Sequence, residues 1–97
     1  MEAVVKVIVF KEDYKVLVTK LREVQADFSE PNCELIDPVE FRNPADGSDD
    51  WRKRLHRWPG LHVSADNKCL IQSDAILTLV DPAPELLEVY YELISKS

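Results

Sequence analysis

Two β-branched runs at the start of the chain, separated by a short loop, constrain the fold more than anything that follows. Residues 3–10 read Ala-Val-Val-Lys-Val-Ile-Val-Phe, with Lys6 the single charge, which is the composition of a well-buried strand. Residues 15–24 continue as Lys-Val-Leu-Val-Thr-Lys-Leu-Arg-Glu-Val. Two conformations compete there. Tyr14, Leu17, Val18, Leu21, Val24 and Phe28 fall on an i, i+3, i+4, i+7 stripe that suits an amphipathic helix. Against it, residues 15–21 are rich in side chains that lose χ1 freedom in a helix, and Lys11-Glu12-Asp13-Tyr14 has the length of a hairpin loop. The hairpin is the favoured reading, and it points to an antiparallel sheet.

Pro31, Pro38 and Pro44 then interrupt the chain, each removing a donor and restricting its predecessor. A short strand fits residues 34–37, resuming across 39–41 as an edge strand. Residues 43–48 read as a polar turn, after which Ser48 or Asp49 can cap a short helix that Pro59 and Gly60 stop. Residues 69–72 and 75–80 offer two further strands, with turns at 66–68 and 73–74. Asp81 is placed to cap a last helix, with Pro82 at its first position. On that helix Glu85, Glu88 and Glu92 share one face, and Leu86, Leu87, Tyr90, Leu93 and Ile94 share the other. Val89 and Tyr91 flank the apolar side, making its arc wider than the ~100° that packing on one sheet requires. The expected fold is a single α+β domain over residues 1–97. It has a small antiparallel sheet of about five strands able to curl toward a barrel, a short central helix, and a C-terminal helix packed on the sheet.

Composition narrows function mainly by exclusion. The chain has only two glycines, Gly47 and Gly60, so no glycine-rich loop can cradle phosphates. A net charge of −6 argues against attraction of nucleic acid or anionic membrane to the whole surface. No apolar run approaches the ~18 residues needed to span a bilayer. The start, Met1-Glu2-Ala3-Val4-Val5, has an acid and no basic n-region, unlike a signal peptide. Cys33 and Cys69 are too few for a disulfide scaffold and read as small buried hydrophobes in a reducing cytosol, with a single bridge as the alternative. With His56 and His62 they are zinc-ligand types, but the close pairs of a zinc site are missing. Neither cysteine has the local signature of a nucleophile, and the abundant carboxylates single out no acid–base pair. No catalytic, cofactor-binding or metal-binding residue is assigned.

The most distinctive segment is Trp51-Arg52-Lys53-Arg54-Leu55-His56-Arg57-Trp58, with four basic residues and no acid. Residues 25–50 before it carry eight Asp or Glu against the single Arg42. Read as a helix, Trp51, Leu55 and Trp58 form one stripe and the basic residues occupy the other sides. The stripe can anchor the helix on the sheet while the basic residues stay solvated or pair with the acidic segment. Alternatively, the basic face meets phosphates or an acidic protein.

The stretch Val7-Ile8-Val9-Phe10-Lys11-Glu12-Asp13-Tyr14-Lys15-Val16-Leu17-Val18 resembles the opening hairpin of Nudix hydrolases, and Arg22-Glu23-Val24-Gln25-Ala26-Asp27 echoes their Arg-Glu box. The box's upstream glycine and glutamate would fall on Ile8 and Tyr14, and its tandem glutamates on Ala26 and Asp27. The resemblance is therefore rejected and no residue is carried over from it. The remaining expectation is a small cytoplasmic, non-enzymatic regulatory, adaptor or accessory-subunit protein acting through contacts with a protein partner or a second copy. Its candidate partner-binding residues are Arg52, Lys53, Arg54, Arg57, Val89 and Tyr91. The alternative is a nucleic-acid-binding module using residues 51–58.

Overall fold

A computed structural model describes residues 3–25, 27, 31–42, 50–60, 62–64 and 66–95. The two β-branched runs form β1 (Val4–Phe10) and β2 (Val16–Glu23), paired antiparallel with Val7 opposite Val18 and Val9 opposite Val16. This settles the competition in favour of strand, over Val16–Glu23. The loop closes with Phe10 N–H donating to the Lys15 carbonyl at 2.9 Å, while the Asp13 carboxylate accepts from Lys15 N–H at 3.0 Å. Tyr14 makes the turn in the left-handed region, at φ 54°.

β3 (Cys33–Phe41) is central, where an edge strand in two pieces was expected. β2 pairs along one side of it, and the other side is shared by β4 (Leu55–Arg57) and β5 (Lys68–Ile71). Pro38 is tolerated because it sits in a β-bulge. Val39 pairs with Val18 and Ile36 with Lys20, so Asp37 and Pro38 together face Thr19. Asp37 takes φ 52°, and the fully buried Thr19 hydroxyl donates to the Ile36 carbonyl at 3.0 Å. The extra residue reverses the alternation of the strand. Cys33 and Leu35 therefore point to one face of the sheet, and Val39 to the other.

β6 (Ile76–Val80) follows a 3₁₀ turn and pairs antiparallel with β1, giving six strands in the order β4-β3-β2-β1-β6, with β5 beside β3. The sheet is not closed. Helix α1 (Pro84–Ser95) crosses one face, where Leu86, Val89, Tyr90, Leu93 and Ile94 pack on Val7, Val18, Val39 and Leu55. On the other face Ile8, Leu17, Leu21, Cys33 and Leu35 pack with Phe10, Trp58, Cys69 and Ile71, the last two lying opposite Leu35 and Cys33 on β5. Phe10 and Trp58 lie on non-adjacent strands or their ends, yet their ring centroids are 6.2 Å apart.

The expected helices differ as well. The helix expected through residues 51–58 is a 3₁₀ turn, Trp51–Arg54, capped by the Asp50 carboxylate and followed directly by β4. A lone helix of this length is marginal, whereas pairing with β3 gives the Leu55–Arg57 backbone a ladder to join. Trp51 and Trp58 consequently pack on opposite faces of the sheet and not in one stripe. The C-terminal helix begins at Pro84, not at Pro82, and Asp81 forms an ion pair with Lys6 at 2.5 Å in place of capping. The expected turn at residues 43–48 and the capping Ser48 or Asp49 lie outside the described residues.

Candidate interaction surfaces

The basic segment is divided among separate tasks. Arg52 and Lys53 are exposed on the 3₁₀ turn, with the Arg52 guanidinium 4.9 Å from the centroid of the Trp51 ring. Arg54 lies over Phe41 at 4.4 Å, and its Nε donates to the Arg42 carbonyl at 3.0 Å. Arg57 turns the other way. Its guanidinium lies 3.8 Å from the Asp37 carboxylate and donates to the Ile94 carbonyl at 3.2 Å, in the last turn of α1. A cation there complements the negative end of the helix and ties it to the sheet.

Asp37, which the sequence reading did not single out, is the hub of that tie. Lys20 approaches its carboxylate at 3.7 Å, Asn67 Nδ2 donates to it at 3.1 Å, and its own N–H donates to the Asn67 carbonyl at 2.7 Å. The Asp37 carbonyl accepts from the Tyr90 hydroxyl at 2.9 Å. Tyr90 is fully buried, and desolvation pushes its phenol well above the ordinary tyrosine value. These groups are all engaged in holding the bulge under α1, which is a structural role. The one legible hint was Asp37-Pro38 inside an apolar strand.

On α1, Val89 packs inward against the sheet, whereas Tyr91 is 48% exposed beside Tyr90. Of the two flanking residues, Tyr91 is the one left at the rim. The larger apolar exposure lies on β6. Leu77, Leu79 and Val80 are 52%, 45% and 49% exposed, and no strand lies on the outer side of β6 among the described residues. The strand carries no charge. Its sequence, Ile-Leu-Thr-Leu-Val, is nearly symmetric about Thr78.

A third surface is a groove of about 240 Å³ where the β1–β2 loop meets Trp58. Phe10, Trp58, Ile71 and Ala75 line it, and Glu12, Asp13 and Lys15 supply its charges. The Lys15 ammonium stands 5.3 Å from the centroid of the Trp58 ring and 3.5 Å from the Asp13 carboxylate. The Lys15 backbone N–H, aided by its ammonium, holds the Asp13 carboxyl below its ordinary value.

Cys33 and Cys69 are free thiols in one core, and burial pushes both above the ordinary thiol range, which disfavours a nucleophilic thiolate. His56 and His62 are exposed. No group of three or more His, Cys, Asp or Glu that could hold a metal occurs among the described residues, and none of their helices is long and apolar enough to cross a membrane. No curated protein and no solved structure matches the chain. Over residues 3–95 the chain matches the family of unknown function DUF6561, and it belongs to that family.

Proposed function

We propose that this protein is a small non-enzymatic interaction module of the cytoplasm, acting as a regulatory or accessory subunit through protein contacts at the outer edge of β6. The observation that carries this reading is the strand itself: charge-free, apolar, and half exposed at Leu77, Leu79 and Val80. An edge of that kind presents unpaired backbone groups to another chain, and natural edges are usually blunted by charge. The occupant its sequence favours is β6 of a second copy. Antiparallel pairing about Thr78 sets Leu77 against Leu79, Ile76 against Val80, and Thr78 against its own equivalent. The bulge at Leu77, where Val9 pairs with Thr78 but Phe10 with Ile76, twists the strand and weakens such pairing at its first residues, so the contact is strongest over Thr78–Val80.

Five residues of strand make a small interface, so a dimer constant of roughly 10–100 μM is expected. Sedimentation equilibrium over that range tests it. Leu79→Lys should leave a folded monomer, because Leu79 is already 45% exposed. Two chains of net charge −6 repel, so added salt should tighten the dimer. A wild-type chain that stays monomeric throughout the range would contradict the reading. The nucleic-acid alternative predicts the opposite salt dependence, with affinity falling as salt rises because binding releases counterions. The dispersal of Arg52, Arg54 and Arg57 onto Trp51, Phe41 and Asp37 favours the protein reading over it.

A further inference from the structure

We infer that the groove beside Trp58 is a recognition site for an arginine side chain presented by a protein partner. This goes beyond the β6 contact and rests on different residues. The floor is aromatic and aliphatic, made by Trp58, Phe10, Ile71 and Ala75, and its charged groups sum to −1, with Glu12 and Asp13 against Lys15. The Asp13 carboxylate near the indole face, with Glu12 also lining the open groove, gives a cation both a ring and a charge to hold it.

The protein's own Lys15 demonstrates the arrangement, with its ammonium set between the Trp58 ring and the Asp13 carboxylate. Lys15 acts as an internal stand-in that keeps the site occupied until a better cation arrives. A guanidinium is that better cation. It stacks flat on an aromatic face, loses hydration more readily than an ammonium, and offers a fork of donors to two carboxylates at once. The volume of about 240 Å³ and the open form suit one side chain of a bound chain better than a buried small molecule.

The probe is the blocked tripeptide acetyl-Ala-Arg-Ala-amide, titrated into the ¹⁵N-labelled full chain, with the isosteric citrulline peptide as the uncharged control. The readout is the indole N–H resonance of Trp58, with that of Trp51 on the other face as reference. The arginine peptide should move the Trp58 signal in a saturable way, and the citrulline peptide should bind about ten-fold more weakly or worse. Lys15→Ala should tighten arginine binding several-fold by vacating the site. The pair Glu12→Gln and Asp13→Asn, exposed and isosteric, should weaken it without relying on any change in the core. Equal binding of both peptides, shifts confined to Trp51, or no saturable shift at peptide concentrations on the order of 10 mM would overturn the inference. So would weaker binding by Lys15→Ala. Because none of these residues lies on β6, failure here leaves the dimer reading standing, and the reverse holds too.

Discussion

At the scale of single residues, Tyr90 connects the helix, the bulge and the stability of the fold. Its hydroxyl donates to the Asp37 carbonyl at 2.9 Å and the Ile36 carbonyl at 3.3 Å, both at the point where β3 changes alternation. Tyr90→Phe keeps the ring but strips those carbonyls of a partner, and should cost ~1–1.5 kcal/mol in urea unfolding at neutral pH. The pH dependence follows from the same burial. A phenol whose folded pKa is raised above the ordinary 10.0 favours the folded state while it stays protonated. That contribution is complete below pH 10 and is lost as pH climbs above it toward the raised folded value. Urea midpoints of the wild-type chain should therefore hold through pH 7–9 and fall above pH 10, and Tyr90→Phe should flatten that alkaline decline. An equally steep decline in the variant would assign it to other groups. The importance of Tyr90 was legible only as one of five apolar positions on a helix face. That its hydroxyl meets Asp37 depends on a contact between residues far apart in the chain.

Among the elements, those set by local pattern were legible and those set by partners were not. The β1–β2 hairpin follows from β-branched residues flanking a four-residue loop, and α1 follows from its periodic apolar face after a proline-rich start. The segment from Trp51 to Trp58 misled because its apolar residues at i, i+4 and i+7 fit one helical stripe, although β3 supplies a ladder that a short helix cannot match. Pro38 misled in the same way: it argues against a central strand unless a bulge receives it, and the bulge depends on register with β2. Val89 and Tyr91 were both expected to flank the apolar arc of α1; Val89 packs inward and Tyr91 is exposed, while Arg57, expected on a partner face, is committed to Asp37 and the end of the helix. The exposure of β6 was hidden because Ile-Leu-Thr-Leu-Val has the composition of a buried strand. Strand order alone puts it at the edge. The hairpin loop makes its own prediction. Tyr14 holds φ 54° at 69% exposure, so its side chain gains little from packing to offset a left-handed backbone. Tyr14→Gly should raise the stability by ~0.5–1 kcal/mol, seen as a higher urea midpoint with an unchanged slope.

As a whole molecule, the protein is an open six-stranded sheet with one helix on one face and a second apolar cluster, drawn from its own strands and loops, on the other. β6 is one open edge at which the sheet can grow. Glu85, Glu88 and Glu92 charge the exposed side of α1, yet β6 carries none of the lysines or prolines that commonly protect an edge. If the edge is an interface, its outward amides change their hydrogen-bonding state when two chains meet, and those of the buried β2 do not. Amide hydrogen exchange across β6, measured at concentrations well below and well above the dimer constant, reads this directly. The β6 amides not bonded to β1 should become protected as concentration rises, β2 should be unchanged, and Leu79→Lys should abolish the gain. Exchange in β6 that is the same at both concentrations, in a chain whose β2 protection shows it folded, would contradict the claim that this edge is the working surface of the protein.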